Sequence, residues 1–429
     1  MKAAFYTLGC KVNQYETQAM AQLLERNGIE TVDFNQPADI YVINSCTVTA
    51  ESDRKSRSMV RSIKSKHPDS IVVLTGCMTQ AMPSTGESLS EADIIIGNGN
   101  NEQLFDMISR YKTGDRIVNI VSHTKSEKYH GNTISDFYGR TRAEIKIEDG
   151  CNRFCTYCLI PYARGFVRSK PLETIKEECS LLASKGFKEI VLVGINLSAY
   201  GTESGEGLSI VDAVKCCAET PGVLRVRLGS LEPDHITDEI IEKLSKIPQL
   251  CPQFHISLQS GCDKTLKKMN RHYTAKEYYD LCLKLRNIFK GASITTDIMV
   301  GFPGETEEDF LQSVEFVKKI GFEKVHIFPY SRRPGTPAAS YPDQVTNSVK
   351  SRRACEMASV CEKTRKERMS ALIGRTVEVL TEESDGLTGH GYTKAYIPVK
   401  FKGECDAGIP VKIKITGIDE DSCTGELSV

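Results

Sequence analysis

The sequence predicts an α/β protein with three parts: an N-terminal parallel-sheet α/β domain, a central partial (β/α)6 barrel and a small C-terminal β-barrel. Two observations predict this class. Apolar runs of strand length alternate with helical patterns over most of the chain, which is typical of parallel sheets. The last runs are short, alternate between polar and apolar residues, and are separated by Gly, Pro and Asp, which is typical of a small β-barrel.

Composition agrees with a folded protein of this kind. The chain has 429 residues, and at about 150 residues per domain this length favours about three domains. Lys and Arg number 55 and Asp and Glu 56, so a nucleic-acid surface would have to be a local patch. No run approaches the roughly 18 apolar residues of a membrane-spanning helix. The 16 cysteines, without a secretory signal, are therefore expected in the reducing cytoplasm, where they favour metal binding over disulfides.

Four strand-like runs and two helical patterns predict the N-terminal domain, residues 1–121. The strands are predicted at 3–7, 40–43, 71–74 and 94–96, and the helices at 15–26 and 50–65. Cys10, Cys46 and Cys77 each follow one of the first three strands. Ligands of open α/β sheets bind at the carboxyl ends of the strands, so the three cysteines are expected to converge. The alternative is that they are small core residues at strand ends.

A polar stretch at 122–140 predicts a linker, and a second domain is expected over 141–371. Its predicted strands are 143–147, 189–193, 224–228, 254–258, 293–299 and 324–328, and its helices include 172–184, 236–244, 275–288 and 307–320. Six βα units are fewer than the eight of a full TIM barrel, so the barrel is expected to be open. A basic helix over 347–372 ends this domain, and the small barrel occupies 372–429.

The densest group of cysteines is Cys151, Cys155 and Cys158, a C-x3-C-x2-C run after the first barrel strand. Structural zinc sites usually have four protein ligands, and no fourth lies nearby in the sequence. Three thiolates favour instead a [4Fe–4S] cluster with one iron open to a substrate molecule. Zinc and an unliganded loop remain the alternatives.

With Tyr157 before its last cysteine, this loop resembles the signature of the radical S-adenosylmethionine (SAM) enzymes. The cysteines of the N-terminal domain single out one branch, the methylthiotransferases, and the C-terminal barrel is similar to the RNA-binding TRAM domain of that branch. The resemblance implies that the loop cysteines hold a [4Fe–4S] cluster that binds SAM. It also implies that Cys10, Cys46 and Cys77 hold a second [4Fe–4S] cluster, which carries the sulfur to be inserted.

The same resemblance implies the reaction and the partners. One SAM donates a methyl group to the sulfur, a second SAM supplies a radical, and a flavodoxin or ferredoxin donates electrons. The segment Thr-Leu-Gly-Cys-Lys-Val-Asn-Gln-Tyr-Glu at 7–16 most resembles the type that acts on N6-threonylcarbamoyladenosine beside the tRNA anticodon. The anticodon stem-loop is then the partner, and C2 of the adenine receives the methylthio group.

Three other functions remain open. Two keep the chemistry and change the acceptor, to isopentenyladenosine in tRNA or to an aspartate of a ribosomal protein. The third is a non-catalytic RNA-binding module in which the cysteines hold structural zinc.

Candidate SAM-binding residues lie at strand ends around the expected barrel mouth. By resemblance, Tyr157 belongs to this pocket, and the backbone of Gly194 and Asn196 supports the methionine moiety of SAM. An ordinary strand-end turn is the alternative for the last two. Ser230 and Glu232 follow the third strand, where a carboxylate is suited to accept hydrogen bonds from ribose hydroxyls; a solvated loop carboxylate is the alternative.

Two further features complete the predicted pocket. His255, Ser257 and Gln259 alternate along the fourth strand and so are expected to share one face. Arg271 is suited to pair with the SAM carboxylate or the substrate, with a surface arginine as the alternative.

Basic residues predict where RNA would bind, although charged runs are often only solvated faces. One helix of the first domain carries a basic face suited to phosphates. Lys412 and Lys414 alternate with apolar residues and so share one face of a strand. The residues assigned to phosphate contacts are Arg54, Arg57, Arg61, Arg332, Arg333, Lys412 and Lys414.

Overall fold

The computed structural model describes residues 1–131, 133–137, 139–205, 207–384 and 386–428. The described chain has the predicted class: a parallel-sheet N-terminal domain, an open parallel barrel and a closed C-terminal barrel of five strands. No helix within these ranges is long and apolar enough to cross a membrane.

The N-terminal domain is a six-stranded parallel sheet in the order β2-β1-β3-β4-β5-β6. Its strands are β1 Lys2–Thr7, β2 Glu30–Val32, β3 Ile40–Ser45, β4 Ile71–Gly76, β5 Ile94–Ile96 and β6 Ile117–Asn119. Its helices are α1 Lys11–Arg26, α2 Ala50–Lys66, α3 Cys77–Ala81, α4 Pro83–Glu87 and α5 Leu104–Arg110, with a 3-10 turn at Asn98–Gln103. The sheet has a separate apolar core on each face, as expected when helices cover both sides of a parallel sheet.

The second domain is an open barrel of parallel strands. Two short sheets, β11-β10-β7 and β12-β13-β14-β15, follow each other around the barrel. The strands are β7 Arg142–Lys146, β10 Glu189–Val193, β11 Arg225–Leu228, β12 Ser230–Leu231, β13 Gln253–Ile256, β14 Ser293–Val300 and β15 Lys324–Pro329, with a hairpin of β8 Glu148–Asp149 and β9 Arg168–Ser169. No ladder joins β7 to β15 in the described chain. The barrel is therefore open along the seam between its first and last strands.

Helices cover the outside of this barrel. They are α7 Leu172–Ser184, α8 Ile210–Ala218, α9 Asp238–Ser245, α10 Asp263–Lys268, α11 Ala275–Ile288, α12 Glu307–Ile320 and α13 Asn347–Ser370, with 3-10 turns at Leu197–Ala199, Pro233–His235 and Pro337–Ser340. The short helix α6 Ile160–Arg164 instead packs against α3 of the N-terminal domain. Alternate strand residues such as Ala143, Ile145, Ile190 and Ile294 join the core beneath these helices. Because side chains alternate along a strand, their neighbours point into the barrel.

The N-terminal domain closes one end of the barrel through α1. Val12 packs against Val191 and Val193, which lie on the inward face of β10. Of the predicted linker at 122–140, Ile134 and Phe137 are buried in the barrel core, while its residues Asn132 and Tyr138 lie outside the described ranges.

The C-terminal barrel has the strand order β16-β17-β18-β20-β19. Its strands are β16 Thr376–Ser384, β17 Thr388–Thr393, β18 Pro398–Lys402, β19 Pro410–Ile418 and β20 Cys423–Leu427. It docks on the amino ends of the central strands, where Arg225 pairs with Glu378 at 2.9 Å and Arg227 donates to the carbonyl of Lys394 at 3.1 Å. The predicted SAM-binding residues lie at the opposite, carboxyl ends of these strands.

Candidate functional site

Cys10, Cys46 and Cys77 converge at the carboxyl edge of the N-terminal sheet. Cys10 directly precedes α1, Cys46 follows β3 and Cys77 begins α3. The Sγ atoms of Cys10 and Cys77 lie 3.9 and 3.8 Å from the same Asn13 Oδ1. A Cβ atom added at Gly9 would lie 3.1 Å from Cys46 Sγ. The glycine therefore permits the segment that carries Cys10, after β1, to approach Cys46, after β3. We call this group the N-terminal trio.

Cys151, Cys155 and Cys158 form the second group, which we call the barrel trio. The β8–β9 hairpin supports the loop that carries it. Gly150 has φ of 87°, and a Cβ there would lie 1.9 Å from the carbonyl oxygen of Phe166. Only glycine fits this position. Cys155 is buried, and Cys151 and Cys158 are half-buried.

Burial raises the pKa of thiols in both trios. It raises the pKa of Cys46 and Cys151, and it raises the pKa of Cys77 and Cys158 to about 12. At neutral pH these thiols are protonated in the metal-free chain. Since metal ligands must be thiolates, metal binding would release protons from this site.

Each trio has one buried arginine aimed at a sulfur. Arg164 Nε lies 3.3 Å from Cys77 Sγ, and Arg271 Nη1 lies 3.3 Å from Cys155 Sγ. Sequence reasoning missed Arg164, because its position in α6 gives no signal of a contact with a cysteine 87 residues away. For Arg271 it proposed SAM, the substrate or solvent, and the side chain is in fact buried and paired with Glu232.

A buried ionic network joins the two domains around Arg164. The guanidinium contacts Glu16 at 2.7 Å, Asn13 at 2.7 Å and Asp149 at 3.2 Å, and Lys146 contacts Glu16 at 2.8 Å and Asp149 at 2.6 Å. Burial alone would raise the pKa of Asp149, but Lys146 and Arg164 lower it well below its usual range. The two acids therefore remain charged and hold the domains together.

A cavity of about 200 Å³ lies beside Cys158, at the interface between the N-terminal domain and the barrel. Val48 and Thr49, just after Cys46, form one wall, and Tyr157 and Cys158 form another. Asp297, Met299, Gln259 and Phe328 from the barrel also line it. A second cavity, of about 580 Å³, separates the central and C-terminal barrels but contains none of the predicted site residues. We therefore take the smaller cavity as the candidate site.

Comparison with known proteins identifies the family. A model of the radical SAM superfamily matches residues 145–317, and one described as uncharacterized protein family UPF0004 matches residues 2–97. The threonylcarbamoyladenosine tRNA methylthiotransferase MtaB of Bacillus subtilis is 40% identical over 96% of this chain and 93% of its own length. This chain belongs to the radical SAM tRNA methylthiotransferases.

Other matches agree with this family. MtaB of Thermotoga maritima is 39% identical over 92% of this chain and 90% of its own. The tRNA-2-methylthio-N(6)-dimethylallyladenosine synthase of Clostridium botulinum (strain Langeland) is 34% identical over 98% and 95%. Among solved structures, the radical SAM methyltransferase TsrM of Kitasatospora setae is similar in fold, with a TM-score of 0.57, 15% identity, and coverage of 79% of this chain and 74% of that chain.

The family uses SAM and a [4Fe–4S] cluster, and the donor set fits these groups. Among the described residues, no group of three or more His, Cys, Asp or Glu side chains closes tightly enough to hold one metal ion. A four-iron cluster is larger than one ion, so more widely spaced thiolates are compatible with it.

The turn at Gly194 and Asn196, predicted to support SAM, surrounds a buried carboxylate. The backbone N–H of Asn196 donates to Glu148 Oε2 at 2.7 Å, and a Cβ at Gly194 would lie 2.6 Å from the same oxygen. Glu148 Oε1 and Asn196 Oδ1 are buried without a hydrogen-bond partner. Two unpaired acceptors at this turn fit a ligand that donates hydrogen bonds, as the SAM ammonium does.

The other predicted SAM residues divide into two groups. Glu232 is half-buried and paired with Arg271 rather than solvated, and Ser230 is exposed. The prediction that Ser257 and Gln259 lie on the fourth strand is wrong, because β13 ends at Ile256 and Gln259 has φ of 64°. Gln259 nevertheless lines the candidate cavity.

The residues predicted to contact RNA differ in their exposure to solvent. Arg333 is only 2% exposed and binds Thr47 at 2.8 Å and Asp53, so its prediction as a phosphate contact is wrong. The position of Arg333 after the sixth barrel strand gave no hint of this contact between domains. Arg54 and Arg61 are exposed and pair with Glu51 and Glu91.

The remaining predicted RNA contacts keep accessible or partly accessible positions. Arg57 is half-buried and Arg332 is exposed. Lys412 and Lys414 are exposed and alternate with buried Ile413 and Ile415 on β19, as the sequence pattern predicted.

Proposed function

We propose that this tRNA methylthiotransferase adds a methylthio group to C2 of N6-threonylcarbamoyladenosine at position 37 of tRNA. The observation that carries the proposal is a cavity at the domain interface that is lined by Cys158 of the barrel trio and by Val48 and Thr49, which follow Cys46 of the N-terminal trio. The inert aromatic C–H bond offers no acid or leaving group, so simple acid–base chemistry is inadequate and a cofactor must supply the reactive species.

In this proposal each trio holds one [4Fe–4S] cluster. The barrel trio, Cys151, Cys155 and Cys158, would hold the cluster that binds SAM, and the N-terminal trio would hold a second cluster. Together with two SAM molecules, these groups supply the radical, the sulfur and the methyl group. The proposed SAM pocket consists of Tyr157, Gly194, Asn196, Ser230, Glu232, Gln259 and Arg271.

The chain itself positions these groups and restricts water. Val12 closes the barrel interior from the N-terminal side. Arg271, fixed by Glu232, presents N–H groups beside Cys155, where they would orient an anionic ligand. The ionic network around Arg164 holds the two trios at a fixed separation, which a transfer between them requires.

The substrate assignment rests on the segment at 7–16 and on relatives whose names specify threonylcarbamoyladenosine. The relative named for dimethylallyladenosine has lower identity. The proposed tRNA face comprises Arg54, Arg57, Arg61, Arg332, Lys412 and Lys414. We also propose that the three domains extend over 1–121, 141–371 and 372–429, and that 122–140 links the first domain to the second.

Nucleoside analysis tests this function directly. The reconstituted protein is incubated without oxygen with SAM, a reductant and stem-loop RNAs carrying either threonylcarbamoyladenosine or isopentenyladenosine, and the nucleosides are analysed by mass spectrometry. We expect the methylthio product from the first RNA. Product from the isopentenyl RNA alone would reject the assignment and favour the other acceptor.

A further inference from the structure

The open seam between β7 and β15 carries polar side chains that the reaction at the two trios does not explain. Glu144 lies on β7, and His326 lies on β15. Neighbouring residues Ala143, Ile145 and Ile327 pack towards the outer helices, so Glu144 and His326 point into the barrel. His255 on β13 contacts Asp297 on β14, with 3.1 Å between Nε2 and Oδ2, and its ring centroid lies 5.8 Å from that of His326. We call these four residues and Lys11 the seam site.

Glu144 is unusual because one oxygen of its carboxylate is buried without a hydrogen-bond partner. The residue is 7% exposed, and its Oε2 atom has no hydrogen-bond partner. Such an acceptor destabilises the folded protein as long as it stays unpaired. A ligand that donates a hydrogen bond would remove this destabilisation.

Lys11 supplies positive charge to the same place. It follows Cys10 and is exposed, and within the described chain it forms no ion pair with another side chain. Burial raises the pKa of Glu144, and Lys11 is the strongest of the charges that oppose this rise. Burial lowers the pKa of His326, and the positive charge of Lys11 contributes to the same decrease. Lys11 directly precedes Val12, which packs against β10 inside the barrel, so the exposed lysine lies at the end of the barrel that α1 closes.

The seam site is continuous with the candidate cavity. Asp297 contacts His255 in the seam and also lines the cavity beside Cys158. Phe328, two residues beyond His326, lines the cavity and is 42% exposed. A base placed in the cavity could therefore extend its N6 substituent into the seam.

We propose that the seam site binds the threonylcarbamoyl group, with Lys11 pairing with its carboxylate and Glu144 accepting a hydrogen bond from its urea N–H. This inference rests on the proposed function and deepens it by naming the residues that select the acceptor. An isopentenyl group has neither a charge nor a donor, so it would leave both side chains unpaired. Polar sites reject ligands that lack the matching group much more strongly than apolar sites do.

Equilibrium binding of stem-loop RNA tests the role of Lys11. The probes are RNAs that carry threonylcarbamoyladenosine or its carboxamide analogue, titrated against the reconstituted protein without oxygen and followed by fluorescence anisotropy. We expect the wild type to bind the acid at least about tenfold more tightly than the carboxamide, as one charge-assisted contact allows. K11Q should lose this preference, and K11R should keep most of it.

Lys185 provides the matched control, because it is an exposed lysine beyond the end of α7. K185Q should keep the full preference for the acid. An equal loss of affinity for both RNAs in K11Q would overturn the proposal and assign Lys11 to a phosphate. An unchanged preference in K11Q would overturn it as well.

A second variant keeps the test valid if K11Q fails to take up iron. Replacing an unpaired buried carboxylate by a similar apolar side chain should not destabilise the fold, so E144L should fold. We expect E144L to bind the threonylcarbamoyl RNA about tenfold more weakly and the isopentenyl RNA no less tightly. An equal effect on the two RNAs would contradict the role of Glu144.

The wild type separates failure of this inference from failure of the proposed function. If it modifies threonylcarbamoyl RNA yet binds the acid and the carboxamide alike, only the seam inference fails. If it modifies isopentenyl RNA alone, the proposed function fails, and the seam inference fails with it.

Discussion

Cys155 and Cys46 belong to different trios, so their substitution should separate two activities. C155A should abolish SAM cleavage, because it removes a proposed ligand of the cluster that binds SAM. C46A should keep SAM cleavage and stop thiolation. Both are measured anaerobically, as 5′-deoxyadenosine release and as methylthio nucleoside in RNA. Thiolation by the C46A protein would show that the N-terminal trio holds no cluster needed for the reaction.

Arg164 donates an N–H towards Cys77 Sγ, and hydrogen bonds to cluster sulfurs are one determinant of reduction potential. R164K keeps the charge and loses the Nε donor, so it should lower the reduction potential of the second cluster. A redox titration followed by electron paramagnetic resonance, in the C155A background, measures this cluster alone.

The matched control for this variant is R168K. Arg168 donates to the carbonyls of Arg164 and Phe166 and makes no described contact with a sulfur. Its substitution should leave the potential unchanged. Equal potentials in R164K and R168K would assign Arg164 to the domain interface alone.

Among individual residues, the sequence predicted those functional residues that are recognisable from their spacing in a motif or from their position directly after a predicted strand. The convergence of Cys10, Cys46 and Cys77 follows from the parallel sheet. The partners Arg164 and Arg333 could not be predicted, because each acts across the domain interface on residues far away in the chain. Charge type alone does not distinguish such an arginine from a solvated one.

The loop between β14 and α12 is held by one buried carboxylate. Glu305 accepts from the Gly301 N–H at 2.5 Å and from Arg353 at 2.7 Å. Burial raises the pKa of Glu305 from 4.5 to about 7, against the opposing effects of Gly301 and Arg353. The folded state therefore holds a proton that the unfolded state has already lost between these two pH values.

This linkage predicts how stability depends on pH. The contribution of Glu305 is fully present below pH 4.5 and is lost as pH rises through about 7, a change of about 3 kcal/mol in the free energy of unfolding. E305Q should be less sensitive to pH than the wild type by about this amount. Denaturant unfolding of the metal-free proteins at pH 5 and pH 8 measures the difference, and E315Q, at an exposed position of α12, should behave like the wild type.

Elements were predicted most accurately where long amphipathic patterns end in a capping residue. The bounds predicted for α7, α11 and α12 agree with the structure, in which the side chain of Thr306 caps α12. Two edge strands, β2 and β6, were not predicted. Each has three residues, which is too short for a period of two to be recognised.

For the whole molecule, iron content distinguishes two clusters from one. Anaerobically reconstituted protein should contain about eight irons per chain, as expected for two four-iron clusters. A variant with Cys10, Cys46 and Cys77 all replaced by alanine should contain about four. Iron and zinc are measured by plasma mass spectrometry. Stoichiometric zinc with little iron would favour the RNA-binding module instead.

The network of Glu16, Lys146, Asp149 and Arg164 has a consequence for fragments of this protein. In a fragment without residues 1–121, Lys146 and Arg164 would lose their ion pairs with Glu16. Asp149 would be their one remaining acidic partner in this network. Breaking a buried ion pair by removing one partner typically costs about 3–5 kcal/mol. The central barrel is therefore expected to be insoluble or aggregated when expressed by itself. Replacement of either domain by a homologous domain during evolution would likewise require that the new domain carry the same charged residues of this network.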